Sequence, residues 1–180
     1  MNFEGLLKNK IIEKLNKKQE PDFSSAEKDL DTARDVFLSG HFDWALNIAY
    51  NAVLLSSREL MFFLGFRPIG KEHHKAVFEF LKETNFEPDL VEYFNKIRVI
   101  RNKNIYGESD DITESLADES IIKAEGFVQK IRTFVQKIRT GEKVGSLKKK
   151  ARIGNPCIRS QEQTKEPNIV EKRKQGVKDE

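Results

Sequence analysis

The sequence predicts an all-α helical bundle of about five to six helices over residues 1–140, followed by a disordered basic tail over residues 141–180. A charged fraction of 34% beside a hydrophobic fraction of 38% is the balance of amphipathic helices whose outer faces carry Lys and Glu. Apolar residues recur at steps of three and four through most segments up to Ile138. Beyond Gly141 the periodicity and the aromatics stop, and Gly, Pro, Gln and the run Lys148-Lys149-Lys150 take over. A chain of 180 residues suits one domain with a real core.

Taken in order, Phe3, Leu7, Ile11 and Leu15 alternate with lysines and predict a short basic amphipathic helix over 3–18, ended by Pro21. Ser24-Ser25-Ala26-Glu27 has the spacing of a capping box, Ser24 accepting a backbone N–H and Glu27 reaching back, which opens a helix running to Gly40 with a Leu30, Ala33, Phe37 stripe. Residues 42–66 are apolar almost all round and predict a central helix packed on several sides, with Ala45, Ala49 and Ala52 as a narrow strip for close approach. Gly65, Pro68 and Gly70 mark a turn. A helix over about 71–82 buries Val77, Phe78 and Leu81, and Pro88 suits the first turn of the next. That fifth helix carries Leu90, Tyr93, Phe94, Ile97 and Ile100, with Arg101 continuing the apolar line. The last helix repeats Ala117, Ile121, Ala124, Val128, Ile131, Val135 and Ile138 as a heptad seam. Within it FVQKIRT occurs twice, at 127–133 and 134–140, and reads as a tandem duplication that lengthens the helix with its apolar face nearly in phase.

Composition excludes several classes. Residues 141–180 hold 11 Lys/Arg against 6 Asp/Glu, so the net charge of +3 belongs to the tail and says little about nucleic-acid binding by the folded part. The tail, with Lys148 to Lys150 and Arg152, offers a short basic run that is otherwise an ordinary solvated segment. A single Cys157 rules out an intrachain disulfide and a cysteine metal site. No window approaches the roughly 18 apolar residues of a membrane span, and the N-terminus lacks a signal-peptide core, so the expected location is cytoplasmic, with no membrane partner. Nucleophile elbow, phosphate-binding glycine loop and HExxH motifs are absent, and no cofactor is expected. His73 and His74 point about 100° apart on a helix and no third ligand completes a metal set, so one of the pair is expected to cap or pack against the core. His41, just before a helix, reads as a cap or surface residue.

The candidate site is Arg101 with Asn102 and Tyr106. A guanidinium holds phosphate bidentately, an amide donates to sugar or phosphate oxygens, and a phenol hydrogen-bonds or stacks on a base. The same residues also read as an arginine ion-paired to a neighbouring helix and a tyrosine covering a helix end.

Ala33-x-x-x-Phe37-x-x-Gly40-x-Phe42-x-x-Ala45, Ala49-Tyr50-x-Ala52, Gly65-Phe66-Arg67-Pro68, His73-His74-Lys75-Ala76-Val77 and Arg101-Asn102-x-x-x-Tyr106-Gly107 together resemble a HEPN domain over about residues 3–140. The resemblance implies a compact antiparallel helical bundle, commonly a homodimer with a cleft between subunits. It also implies a metal-independent ribonuclease, including toxins of toxin–antitoxin pairs, or a companion of a small nucleotidyltransferase. The family motif is an arginine followed, after four to six residues, by a histidine. Arg101 matches the first position, but Tyr106 stands where the histidine belongs and the window holds no histidine. A phenol with a pKa near 10 is a poor proton carrier at neutral pH, so phosphate binding survives this departure better than cleavage does. Tyr106 is also, by residue type, a candidate for adenylyl modification. The expectation is a dimeric RNA- or nucleotide-binding accessory module with weak or no ribonuclease activity. The alternatives are an active endoribonuclease toxin, in which Tyr106 or another side chain moves the proton, and a helical protein–protein interaction module.

Overall fold

The computed structural model describes residues 1–105 and 112–141. Among these residues six helices and one small sheet follow in the order α1 (Glu4–Lys8), β1 (Ile12–Lys14), α2 (Ser24–Leu38), α3 (Phe42–Leu64), β2 (Phe66–Pro68), α4 (His73–Thr84), α5 (Pro88–Ile105) and α6 (Glu114–Thr140). The fold is the all-α bundle that the periodicity predicts. The tail from 142 onward, Cys157 and Tyr106 lie outside the described residues.

Helix α3 is the centre, in contact with α2, α4, α5 and α6. Ala45, Ala49 and Ala52 are fully buried along it, so neighbouring backbones approach closely. The three residues Ser39, Gly40 and His41 reverse the chain between α2 and α3, making them an antiparallel pair. His41 occupies the N-cap position of α3, exposed and without a side-chain cap bond, and so is a surface residue. The other end of α3 is closed by Gly65 in the left-handed region at φ 88°. A Cβ there would also meet Lys18 Cγ at 3.3 Å, which gives the glycine two reasons to be present.

Two expectations about the N-terminal part are corrected. The helix expected over 3–18 ends at Lys8, because Lys10 takes φ 53° and the β-branched pair Ile11-Ile12 enters an extended segment. Strand β1 pairs antiparallel with β2, Ile12 opposite Pro68 and Lys14 opposite Phe66. Leu15 N–H then donates to the Gly65 carbonyl at 2.8 Å and Gln19 N–H to that of Phe62 at 3.2 Å, so this arm satisfies its backbone on the end of α3 instead of within a helix. Phe3 holds the short α1 in place by stacking on Phe80 at 4.6 Å. The capping box also does not form. Asp22 Oδ1 accepts from Ser24 N–H at 2.9 Å, while Glu27 turns outward to pair with Arg132 of α6.

Helix α6 starts where Thr113 Oγ1 accepts from Leu116 N–H at 3.2 Å and ends at Gly141, left-handed at φ 72°. The two FVQKIRT copies make matching contacts. Phe127 and Phe134 meet Phe86 edge-on at 5.2 and 5.4 Å. Arg132 lies 5.4 Å from the Phe23 ring and pairs with Glu27, and Arg139 lies 5.5 Å from the Phe63 ring and pairs with Glu20. The duplication is therefore packed into the bundle on the same face in both copies. Helix α4 begins and ends about two residues later than the periodicity places it, stopping at Asn85 in the left-handed region at φ 54°.

Candidate functional site

Arg101 stands near the end of α5, one turn beyond Ile97, where the apolar stripe directs it back toward α3. Its guanidinium carbon lies 5.3 Å from the centre of the Tyr50 ring. Stacking on an aromatic face offsets part of the cost of burying the charge. Among the described residues Arg101 makes no ion pair, and its Nε is buried without a hydrogen-bond partner. The ion pair to a neighbouring helix that its position suggests is thus replaced, among these residues, by a ring.

Tyr50 itself is 1% exposed, in the middle of α3. Its hydroxyl faces His74 Nδ1 at 3.3 Å, and the two rings are 5.8 Å apart at 41°. His74 is the inward member of the histidine pair at the start of α4. It packs on the core as one of the two is expected to, while His73, one residue earlier, is exposed. Three helices therefore converge on one tyrosine. Asn47 lies three residues before Tyr50, on the same side of α3, and its Oδ1 is likewise buried and unpartnered among the described residues. Arg101 Nε and Asn47 Oδ1 are thus a buried donor and a buried acceptor left without partners among the described residues.

The electrostatics are cationic. Burial lowers the His74 pKa below 6.5, and Arg101, Arg58, His73 and Arg98 push it the same way. Burial also raises the Tyr50 phenol, against the opposing pull of Arg101 and Arg98, so the hydroxyl stays protonated. Among the described residues no carboxylate contributes to either shift. At neutral pH His74 is thus an uncharged imidazole beside arginines. Because the unfolded chain protonates this residue near pH 6.5 and the folded chain only at lower pH, acid favours unfolding. The stability held above pH 6.5 declines as the pH falls through that range.

Of the residues singled out from the sequence, Arg101 is at the centre of this cluster. Asn102 is exposed on the next position of α5, and Tyr106 lies outside the described residues. Tyr50, His74, Arg58 and Arg98 were not singled out for this site. Tyr50 sits in a segment that reads as uniform core, and the histidine pair draws attention as a metal motif. Among the described residues no group of three His, Cys, Asp or Glu side chains is placed to hold a metal ion, and no helix is long and apolar enough to cross a membrane.

A family model described as HEPN domain matches residues 23–134. The chain belongs to the HEPN family. Comparison with curated protein sequences gives no match. The HEPN match runs from the first residues of α2 to Phe134 in α6 and so contains Tyr50, His74 and Arg101, while α1 and β1 precede it and the second FVQKIRT copy falls almost wholly beyond it.

Proposed function

We propose that this HEPN chain is a homodimeric accessory module that binds RNA or a nucleotide through a phosphate group at the Arg101 cluster. The observation that carries the reading is the Arg101 guanidinium held on the Tyr50 ring, with Arg58 and Arg98 close enough to act on the same histidine and no carboxylate partner among the described residues. A desolvated guanidinium lacking an acid partner is a fitting receptor for a phosphate oxygen pair. Binding, more than catalysis, is what the arginines by themselves support.

A gel shift with labelled RNA, repeated with Arg101→Ala, tests this. Loss of a charge-assisted hydrogen bond worth about 1.5–3 kcal/mol weakens binding roughly 10- to 100-fold. The basic tail is common to both proteins and cancels in the comparison. Equal affinity of the two proteins overturns the reading.

Pairing of two copies is supported at the α2–α3 turn, where Leu38 is 82% and Trp44 63% exposed beside the Phe37–Phe42 ring pair. Light scattering is expected to give the mass of two chains, and Trp44→Glu to shift it to one. An unchanged dimer would place the interface elsewhere.

A further inference from the structure

We infer that the Arg101 cluster couples phosphate binding to proton uptake: a phosphate group on Arg101 and a proton on His74 favour each other, so acid tightens the hold on the ligand. The inference rests on the phosphate-binding reading above and adds the regulation of that site.

Tyr50 is the common neighbour of the two groups. The Arg101 guanidinium lies 5.3 Å from the centre of its ring, and the His74 ring stands 5.8 Å from that centre, with Nδ1 3.3 Å from the hydroxyl. The tyrosine is buried and its phenol stays protonated, so it spaces the guanidinium from the imidazole without adding a charge of its own. Where water is excluded in this way, two charges act on each other across a ring far more strongly than they do in solvent. The coupling acts through the buried ring and requires neither a contact between the two side chains nor a common opening to solvent.

Among the described residues the charges that act on His74 are all of one sign. Helix α3 brings Arg58, α5 brings Arg101 and Arg98, and α4 itself brings His73, while the Tyr50 hydroxyl of α3 is neutral. Strand β2, also packed against α4, carries Arg67, which pairs with Glu13 of β1 and is not among the groups that move His74. After burial, which acts most, Arg101 is the strongest of the influences that keep His74 uncharged at neutral pH.

A phosphodiester brought to Arg101 changes this balance. Its negative charge offsets the guanidinium, and the main charge opposing protonation of His74 is cancelled. The imidazole then takes its proton at a higher pH than in the free protein. By reciprocity the protonated protein holds the phosphodiester more tightly, and by the same factor. Each pKa unit of upward movement corresponds to about a tenfold gain in affinity. Lysines, arginines and the diester itself do not titrate between pH 5 and 8, so a histidine is the group at this cluster that responds there.

The probe is oligouridylate with unphosphorylated ends, which has no group titrating between pH 5 and 8. The chain has three histidines, so ring-proton NMR of the full chain follows each one, with His41→Gln and His73→Gln assigning the signals. Expected is a His74 midpoint below 6.5 in the free protein, raised by about half to one unit by saturating oligouridylate, and raised without it by Arg101→Ala. Filter binding of the same probe is expected to tighten about three- to tenfold from pH 8 to pH 5. His74→Gln is expected to match the parent's affinity at pH 8 and lose the pH dependence, and His73→Gln to keep both. A His74 midpoint that does not move under saturating, Arg101-dependent binding overturns the coupling and leaves the binding reading standing. Affinity that weakens on acidification does the same, the proton then driving α4 away from α3 and α5. Binding that is absent, or indifferent to Arg101→Ala, removes both. If His74→Gln fails to fold by circular dichroism, the parent's midpoint with and without oligouridylate decides the matter.

Discussion

Phe127→Ala is expected to lower the unfolding free energy by about 3–5 kcal/mol, the range for truncating a fully buried aromatic residue. Phe127 has no exposed surface and meets Phe86 and Phe94 edge-on, at 5.2 and 5.5 Å, so it ties α6 to α5 and to the turn before α5. The cavity left by the ring has walls from two helices that cannot both collapse into it. Phe134 holds the equivalent place in the second heptad but, among the described residues, meets only the Phe86 ring, within two turns of the end of α6. Its truncation is expected to cost less, about 2–3 kcal/mol, because the helix end relaxes more easily. Urea unfolding of both variants beside the parent checks the order. A Phe134→Ala variant less stable than Phe127→Ala would show that the helix end is more tightly held than its burial implies.

Tyr50→Ala is the second large expected effect, again about 3–5 kcal/mol, and it is expected to abolish RNA binding even where the protein remains folded. Tyr50 is the platform for Arg101 and the hydrogen-bond partner of His74, so its loss frees a guanidinium and an imidazole at once. Tyr50→Phe separates the two roles. The ring stays under Arg101 and the phenol's contact with His74, worth about 0.5–1.5 kcal/mol net, is removed. Binding is expected to stay within about threefold of the parent. Chemical unfolding and gel shift on the two variants read these apart. If Tyr50→Phe loses binding as fully as Tyr50→Ala, the hydroxyl rather than the ring carries the site.

Much of the fold was legible because helical periodicity is local. The alanine strip of α3, the heptad seam of α6 and the Gly65 stop are written in neighbouring residues. The arm before α2 was not, since Phe3, Leu7, Ile11 and Leu15 fit a helical stripe equally well, and what decides against it is pairing with Phe66–Pro68 more than 50 residues away. Glu27 was misplaced for a similar reason, because Arg132 competes for its carboxylate from across the bundle. At the site, Arg101 showed itself by interrupting an apolar line with a charge. Tyr50 and His74 gave no such signal. They are 24 residues apart and on different helices, and meet Arg101 only through tertiary packing.

The boundaries of the matched region give the Arg139–Glu20 pair a further meaning. Glu20 belongs to the arm that precedes residue 23, and Arg139 to the heptad copy that follows residue 134. The segments on either side of the matched region are thus neighbours in the fold, and the end of α6 offers the arm a contact. The exposed pair adds to the backbone bonds that already hold the arm on the end of α3, so the two ends of the matched sequence meet at one side of the bundle.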